Sequence, residues 1–187
     1  MRRLRYANLR YAAPIAEVDY NAIRGFDDAL FHLLAVGQWI VDRENVIIEG
    51  PTGTGKTWLA CALGEKACRD GRLVRYESAP RLMANLVALR GSKRHSYQMQ
   101  KLASVDLLIL DDWGLERFSA DQRGEIFEVL DRRCEQGSTL IASQRAIATW
   151  PRIIGGAVTS ALLIDRIVHN AHRLKLTGAS LRDRGRV

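Results

Sequence analysis

The sequence predicts an α/β fold, with a parallel β-sheet sandwiched between helices, and three observations carry that expectation. Short apolar runs alternate with longer stretches of helical spacing along most of the chain, the pattern of repeated strand–helix–strand units. One run, "LLILDD" from Leu107 to Asp112, is continuously apolar before its two carboxylates, as a strand buried on both faces is. A glycine-rich stretch, "GPTGTGKT" from Gly50 to Thr57, falls directly after one strand and opens a helix. In sheets of this kind ligands bind beyond the carboxyl ends of the strands.

The elements follow in order. Residues 1–10 carry four arginines and no acid, and residues 1–26 read as a basic arm or linker ahead of a single domain over 27–187. "FDDALFHLLAVGQWIVDR" has helical spacing through Leu30, Leu33, Leu34 and Ile40. "ENVIIEG" is a short strand over Asn45 to Glu49. "TWLACALGEKACRDG" is a helix that stops at Gly71, a residue suited to the left-handed turn after a helix. "LVRYES" gives a second strand, "APRLMANLVALRG" a helix and "DLLILDD" a third strand. "SADQRGEIFEVLDRRCEQG" opens on Ser119, whose hydroxyl can cap the first turn of a long helix. "STLIASQ" is a fourth strand, "TSALLIDRIVHNA" a helix and "RLKLTG" a short strand.

Composition narrows the class. The chain has 187 residues, 47% of them apolar and 26% charged, which suits one soluble globular domain with a sizeable core. No apolar run approaches the roughly 18 residues that span a bilayer, and no apolar h-region follows the basic N-terminus, so a signal peptide is not expected. Cys61, Cys68 and Cys134 show no CxxC spacing; they read as reduced thiols of a cytoplasmic protein, not as a metal site. A net charge of +7 favours a polyanionic partner such as nucleic acid. The charge is clustered: Arg81, Arg90, Lys93, Arg94 and Lys101 lie in an acid-free run over 81–101. The alternative reading of each such run is a solvated face.

"GPTGTGKT" fits G-x-x-x-x-G-K-[ST], the phosphate-binding loop, in the context its mechanism requires. Gly50, Gly53 and Gly55 let backbone amides approach a phosphate, and the helix start adds partial positive charge. Pro51, Thr52 and Thr54 complete the loop. Lys56 is expected on the β- and γ-phosphates of ATP and Thr57 on Mg²⁺. The loop also explains the two aspartates that end "LLILDD". Like charges side by side at the edge of a core are costly without a cation, and a nucleotide-bound metal supplies one. Asp111, on a strand expected beside the P-loop strand, would contact the Mg²⁺ shell. Asp112, one residue nearer the γ-phosphate, would orient and deprotonate the attacking water. The alternative for Asp112 is a cap or surface carboxylate. At the end of "STLIASQ", Ser143 or Gln144 is a candidate to hydrogen-bond the water or γ-phosphate; strand neighbours face opposite ways, so the sequence leaves both open.

"GPTGTGKTWLACALGEKACRDG", "LLILDDWG", "STLIASQ" and "LIDRIVHNAHRLKLTGASLR" together resemble the IstB-like group of AAA+ ATPases, which assist insertion-sequence transposases and are related to DnaC-type helicase loaders. The resemblance runs from about Leu4 to Arg182. It implies a P-loop NTPase/AAA+ core with a reduced C-terminal lid, Mg²⁺-dependent ATP hydrolysis, ring or helical homo-oligomers, and duplex DNA and a transposase as partners. By position it makes Gln144 the first sensor and Arg166 an arginine finger that reaches a neighbour's γ-phosphate, and it puts Arg182 near a second-sensor position. An ion pair between Arg166 and Asp165 is the local alternative. Family members usually carry a helical N-terminal domain, which is expected to be absent from this chain. Relatives among the AAA+ initiators also carry a helical insert after the second strand. That makes Arg90, Lys93 and Arg94 the expected DNA-contacting residues, with Arg2, Arg3, Arg5 and Arg10 next. Three other functions compete: a replicative helicase loader, a nucleotide-dependent DNA-binding module with little hydrolysis, and a small-molecule P-loop kinase. The last needs an arginine-rich lid, for which "RAIATWPRIIGG" supplies only Arg145 and Arg152.

Overall fold

A computed structural model describes residues 2–18, 27–178 and 180–181. Five strands, β1 (Asn45–Glu49), β2 (Val74–Ser78), β3 (Leu107–Trp113), β4 (Ser138–Ser143) and β5 (Ala171–Lys175), pair in parallel in the order β2-β3-β4-β1-β5. Side chains alternate across the sheet. Val46, Ile48, Leu107 and Ile109 face one layer of helices, and Ile47, Leu108, Leu110 and Ile141 face the other. Burial on both faces is why β1, β3 and β4 read as mostly apolar runs.

The strand order corrects one expectation. β3, which carries Asp111 and Asp112, does not lie beside the P-loop strand β1; β4 runs between them, with Ile109 opposite Leu140 and Ile47 opposite Ile141. The end of β4, and with it Gln144, is therefore central to the site.

One layer contains α1 (Arg2–Ala7), α2 (Asp28–Val36), α3 (Gln38–Val41) and α4 (Lys56–Arg69); the other contains α5 (Ala79–Leu89), α6 (Lys93–Ala103), α7 (Ala120–Arg133), α8 (Trp150–Ile154) and α9 (Ala157–Val168). The single helix expected over 26–43 is two, because Gly37 takes a left-handed φ of 84° and closes α2. α7 begins on a capping box, with Ser119 accepting from the Gln122 amide and the Gln122 side chain accepting from the Ser119 amide. Residues 2–18 pack onto the core: Ala7 and Ala13 are fully buried, and the Ala13 amide donates to Glu65 of α4 at 2.9 Å. Among the described residues, no helix is long and apolar enough to cross a membrane.

Candidate nucleotide site

The loop between β1 and α4 is shaped by steric need at two glycines. A Cβ on Gly50 would lie 2.5 Å from the Leu176 carbonyl oxygen. Gly53 has φ of 84°, and a Cβ there would meet the Ser180 side chain at 2.2 Å. The Leu181 amide also donates to the Gly53 carbonyl at 2.8 Å, so the segment after β5 lies against the loop. Thr54 is buried and its hydroxyl donates to the Pro51 carbonyl at 2.8 Å. Lys56, at the first position of α4, is 7% exposed, and its ammonium donates to the carbonyls of Gly50 at 2.7 Å and Pro51 at 2.6 Å. The cation is thereby turned back over its own loop instead of out into solvent.

At the end of β3 the backbone changes course. The register with β4 shifts between Leu110 and Trp113, and Asp112 takes a left-handed φ of 58°. Such a bulge re-aims a side chain, and aspartate tolerates this conformation better than most residues. Trp113, fully buried between Phe118 and Trp150, anchors the strand just beyond it. Asp111 is 2% exposed and held at both oxygens: Oδ2 accepts the Tyr76 hydroxyl of β2 at 2.6 Å, and Oδ1 accepts the Asp112 amide at 2.9 Å. The Arg10 guanidinium lies 3.9 Å from Asp111 Oδ2 and 3.7 Å from Asp112 Oδ2. A hydrogen bond with Tyr76, above all, raises Arg10 above its ordinary value, while burial and the bond to Asp111 push the Tyr76 phenol far up. Tyr76, Arg10, Asp111 and Asp112 form one network. Sequence reasoning missed its first two members. The one available signal was a tyrosine in a short buried strand, whose hydroxyl demands a partner.

At the end of β4 the two candidates separate. Ser143 is buried and its hydroxyl donates to the carbonyls of Trp113 and Arg145. Gln144 faces the P-loop, where its Oε1 accepts the Thr52 hydroxyl at 2.7 Å. A cavity of about 480 Å³ lies among these groups, lined by Lys56, Thr57, Asp111, Asp112 and Gln144, with Tyr11 and Leu181 as apolar walls. The Thr57 hydroxyl and the Asp111 carboxylate supply the hard oxygen donors that Mg²⁺ takes, so the residues present fit that ion.

Other predicted residues lie elsewhere. The Arg166 carbonyl accepts from Asn45 at the first residue of β1, about 13 Å of strand from the P-loop end. Its guanidinium pairs with Asp131 at 2.6 Å and stacks over Phe127 at 4.8 Å. The expected local partner, Asp165, is thus replaced by an acid on α7. Arg90 is paired within the fold. It is clamped by Asp121 and Glu125, each at 2.7 Å, and its charge is taken up within the fold. Lys93 and Arg94 are exposed at the start of α6. Arg182 lies outside the described residues.

A parallel sheet with β4 between the P-loop strand and an Asp-Asp strand, and a cavity bounded by both motifs, defines a P-loop ATP-binding protein of the AAA+ type. The crystal structure of DnaI shares this fold, with a TM-score of 0.76 at 20% identity over 89% of this chain and 92% of that one. The DnaC helicase loader superposes with a TM-score of 0.62 at 19% identity, covering 94% of this chain and 99% of that one. The family described as IstB-like ATP binding protein matches residues 1–187, and the chain belongs to that family. It is 49% identical over 180 residues to the insertion sequence ATP-binding protein y4pL of Sinorhizobium fredii, covering 96% of this chain and 74% of that one. It is 33% identical over 180 residues to the IS21 ATP-binding protein of Pseudomonas aeruginosa, covering 96% and 68%.

Proposed function

We propose that this chain is an Mg²⁺-dependent ATPase that assembles on duplex DNA and assists a transposase. The observation that carries the reading is the convergence of Lys56, Thr57, Asp111, Asp112 and Gln144 on one cavity at the carboxyl ends of three strands. In this reading Lys56 exchanges its loop carbonyls for the β- and γ-phosphates of ATP, and Thr57 and Asp111 hold the metal. The bound metal neutralises charge on the phosphates. Asp112 orients water and takes its proton, and Gln144 hydrogen-bonds the water or γ-phosphate. Arg166, remote from its own P-loop and on an outer helix, suits service at the nucleotide of a second copy in a ring or helical homo-oligomer. Insertion-sequence relatives support a transposase as partner, and the net charge of +7 supports DNA.

A second reading, a nucleotide-dependent DNA-binding module with little hydrolysis, is favoured by one contact: Arg10 sits against both carboxylates. Steady-state ATP hydrolysis with and without duplex DNA, with mass photometry for assembly, separates the two. The ATPase reading expects turnover that DNA raises together with oligomer mass. ATP binding with no turnover in either condition would support the module.

A further inference from the structure

Beyond the nucleotide cavity, a second opening of about 250 Å³ lies at the ends of β3 and β4, with Gly114, Glu116, Arg117, Arg145, Arg152 and Ile153 in its wall. Three of these are arginines, and all three are exposed. Among the described residues their guanidiniums make no hydrogen bond or ion pair; Arg145 is engaged only through its backbone. Other arginines of this layer differ. Arg90 binds Asp121 and Glu125, Arg123 binds the Phe118 and Ile154 carbonyls, and Arg132 binds Glu128. Three cations around one opening repel one another, and Glu116 offsets at most one of them.

The frame under these side chains is fixed. Arg117 precedes the Ser119 cap of α7 by two residues. Arg145 is pinned through its amide to the Ser143 hydroxyl at 3.0 Å, and its carbonyl accepts the Trp150 indole at 3.1 Å. Arg152 lies on α8, which is tied to the β3–α7 connection by the Phe118 amide and Ile153 carbonyl at 3.0 Å. Gly114 allows this closure, since a Cβ there would sit 3.3 Å from Ile153. Free guanidiniums on anchored backbone lose less freedom on binding an anion than guanidiniums on a mobile loop.

The opening also continues the exposed cations of α6. Arg90 bonds Asp121 in the first turn of α7, which brings the start of α6, with Lys93 and Arg94, to the same helix end that Arg117 precedes. We infer that Arg117, Arg145 and Arg152 form an anion site for the phosphate backbone of duplex DNA, extending the Lys93–Arg94 surface. This rests on the DNA reading proposed above. Guanidinium forks match phosphate oxygens, and a chain of net charge +7 with several exposed cations on one layer favours a long polyanion over a single acidic side chain.

The test is anisotropy of a fluorescein-labelled duplex against ATP-loaded full chain, from 50 to 200 mM salt. Four proteins are compared: wild type, Arg117→Gln/Arg145→Gln/Arg152→Gln, Lys93→Ala/Arg94→Ala, and the combination. Each phosphate contact adds about 0.9 to the salt slope, so three add about 2.7, and across that fourfold salt range wild type should lose about 40-fold more affinity than the triple variant. Unchanged ATP affinity checks that the triple variant is folded. If the triple variant keeps wild-type affinity and slope while the double variant weakens, the inference is overturned and the DNA reading stands. If wild type does not bind duplex at 50 mM salt, both fall. A triple variant that binds DNA normally but no longer captures transposase assigns the opening to a protein partner, which also overturns the inference.

Discussion

Replacing Tyr76 by phenylalanine removes one oxygen from the interior, and with it a link to Arg10 as well as one to Asp111. The costlier loss is the 2.6 Å hydrogen bond to a carboxylate that is 2% exposed. A hydrogen bond to a charged acceptor is worth about 1.5–3 kcal/mol, and a buried acceptor left short of a donor costs a similar amount. Arg10 is a poor substitute, because it stands 3.9 Å away on a half-exposed side chain. For a chain of this size each kcal/mol moves the thermal midpoint by roughly 2–4 °C, so Tyr76→Phe should lower it by about 3–12 °C. Asp111 would then be held through Oδ1 alone. If it serves the metal as proposed, the same energy appears as about a 10- to 150-fold loss of Mg²⁺ affinity at the ATP-loaded site. ATP affinity in EDTA should stay unchanged. Differential scanning fluorimetry and calorimetric Mg²⁺ titration read the two effects. A variant equal to wild type in both would refute the reasoning that Tyr76 orients Asp111.

Lys56→Ala should abolish or greatly weaken ATP binding in calorimetry, because among the described residues no other side-chain cation is held over the loop by its carbonyls; unchanged affinity removes Lys56 from the site. Arg166→Ala should lose about 1 kcal/mol or somewhat more of stability, since its pair with Asp131 is half-buried and its guanidinium also stacks on Phe127, yet hydrolyse ATP poorly while binding it normally. Mixing it with Lys56→Ala protein should restore some turnover, and no rescue in subunits shown to exchange argues for the local pair alone. Glu125 gives a pH effect. Burial raises its carboxyl, but hydrogen bonds from His95 and Arg90 outweigh that and hold it below its ordinary 4.5. A depressed carboxyl stabilises the fold above its unfolded value and loses that contribution as pH falls through its folded value. Chemical denaturation from pH 7 down into the acid range should therefore show a steeper loss for wild type than for Glu125→Gln, and parallel curves would contradict it.

Local pattern made much of this molecule legible. The P-loop, the Asp-Asp strand end and the capped α7 are each written in a few adjacent residues, because glycine freedom, two-face burial and helix capping are short-range effects. What was not legible depends on distant residues. The place of β4 between β1 and β3 is set by how helices cover the two faces, which no single strand encodes. The acid-free run over 81–101 suggested free cations, but the acids that neutralise Arg90 lie 31 and 35 residues on. Arg166 likewise finds Asp131, 35 residues back, instead of its neighbour. Ser143 and Gln144 are interchangeable in a strand pattern; only the carbonyls of Trp113 and Arg145, which hold the Ser143 hydroxyl, show which side chain is turned away.

In the proposed reaction Asp112, at the left-handed end of β3, assists hydrolysis in this cavity. Asn is also well tolerated at positive φ, so Asp112→Asn should fold and bind Mg²⁺-ATP like wild type. Steady-state phosphate release by the assembled protein on duplex DNA should then fall by about 10²–10⁴-fold. Turnover equal to wild type at equal ATP affinity would remove Asp112 from the hydrolytic step.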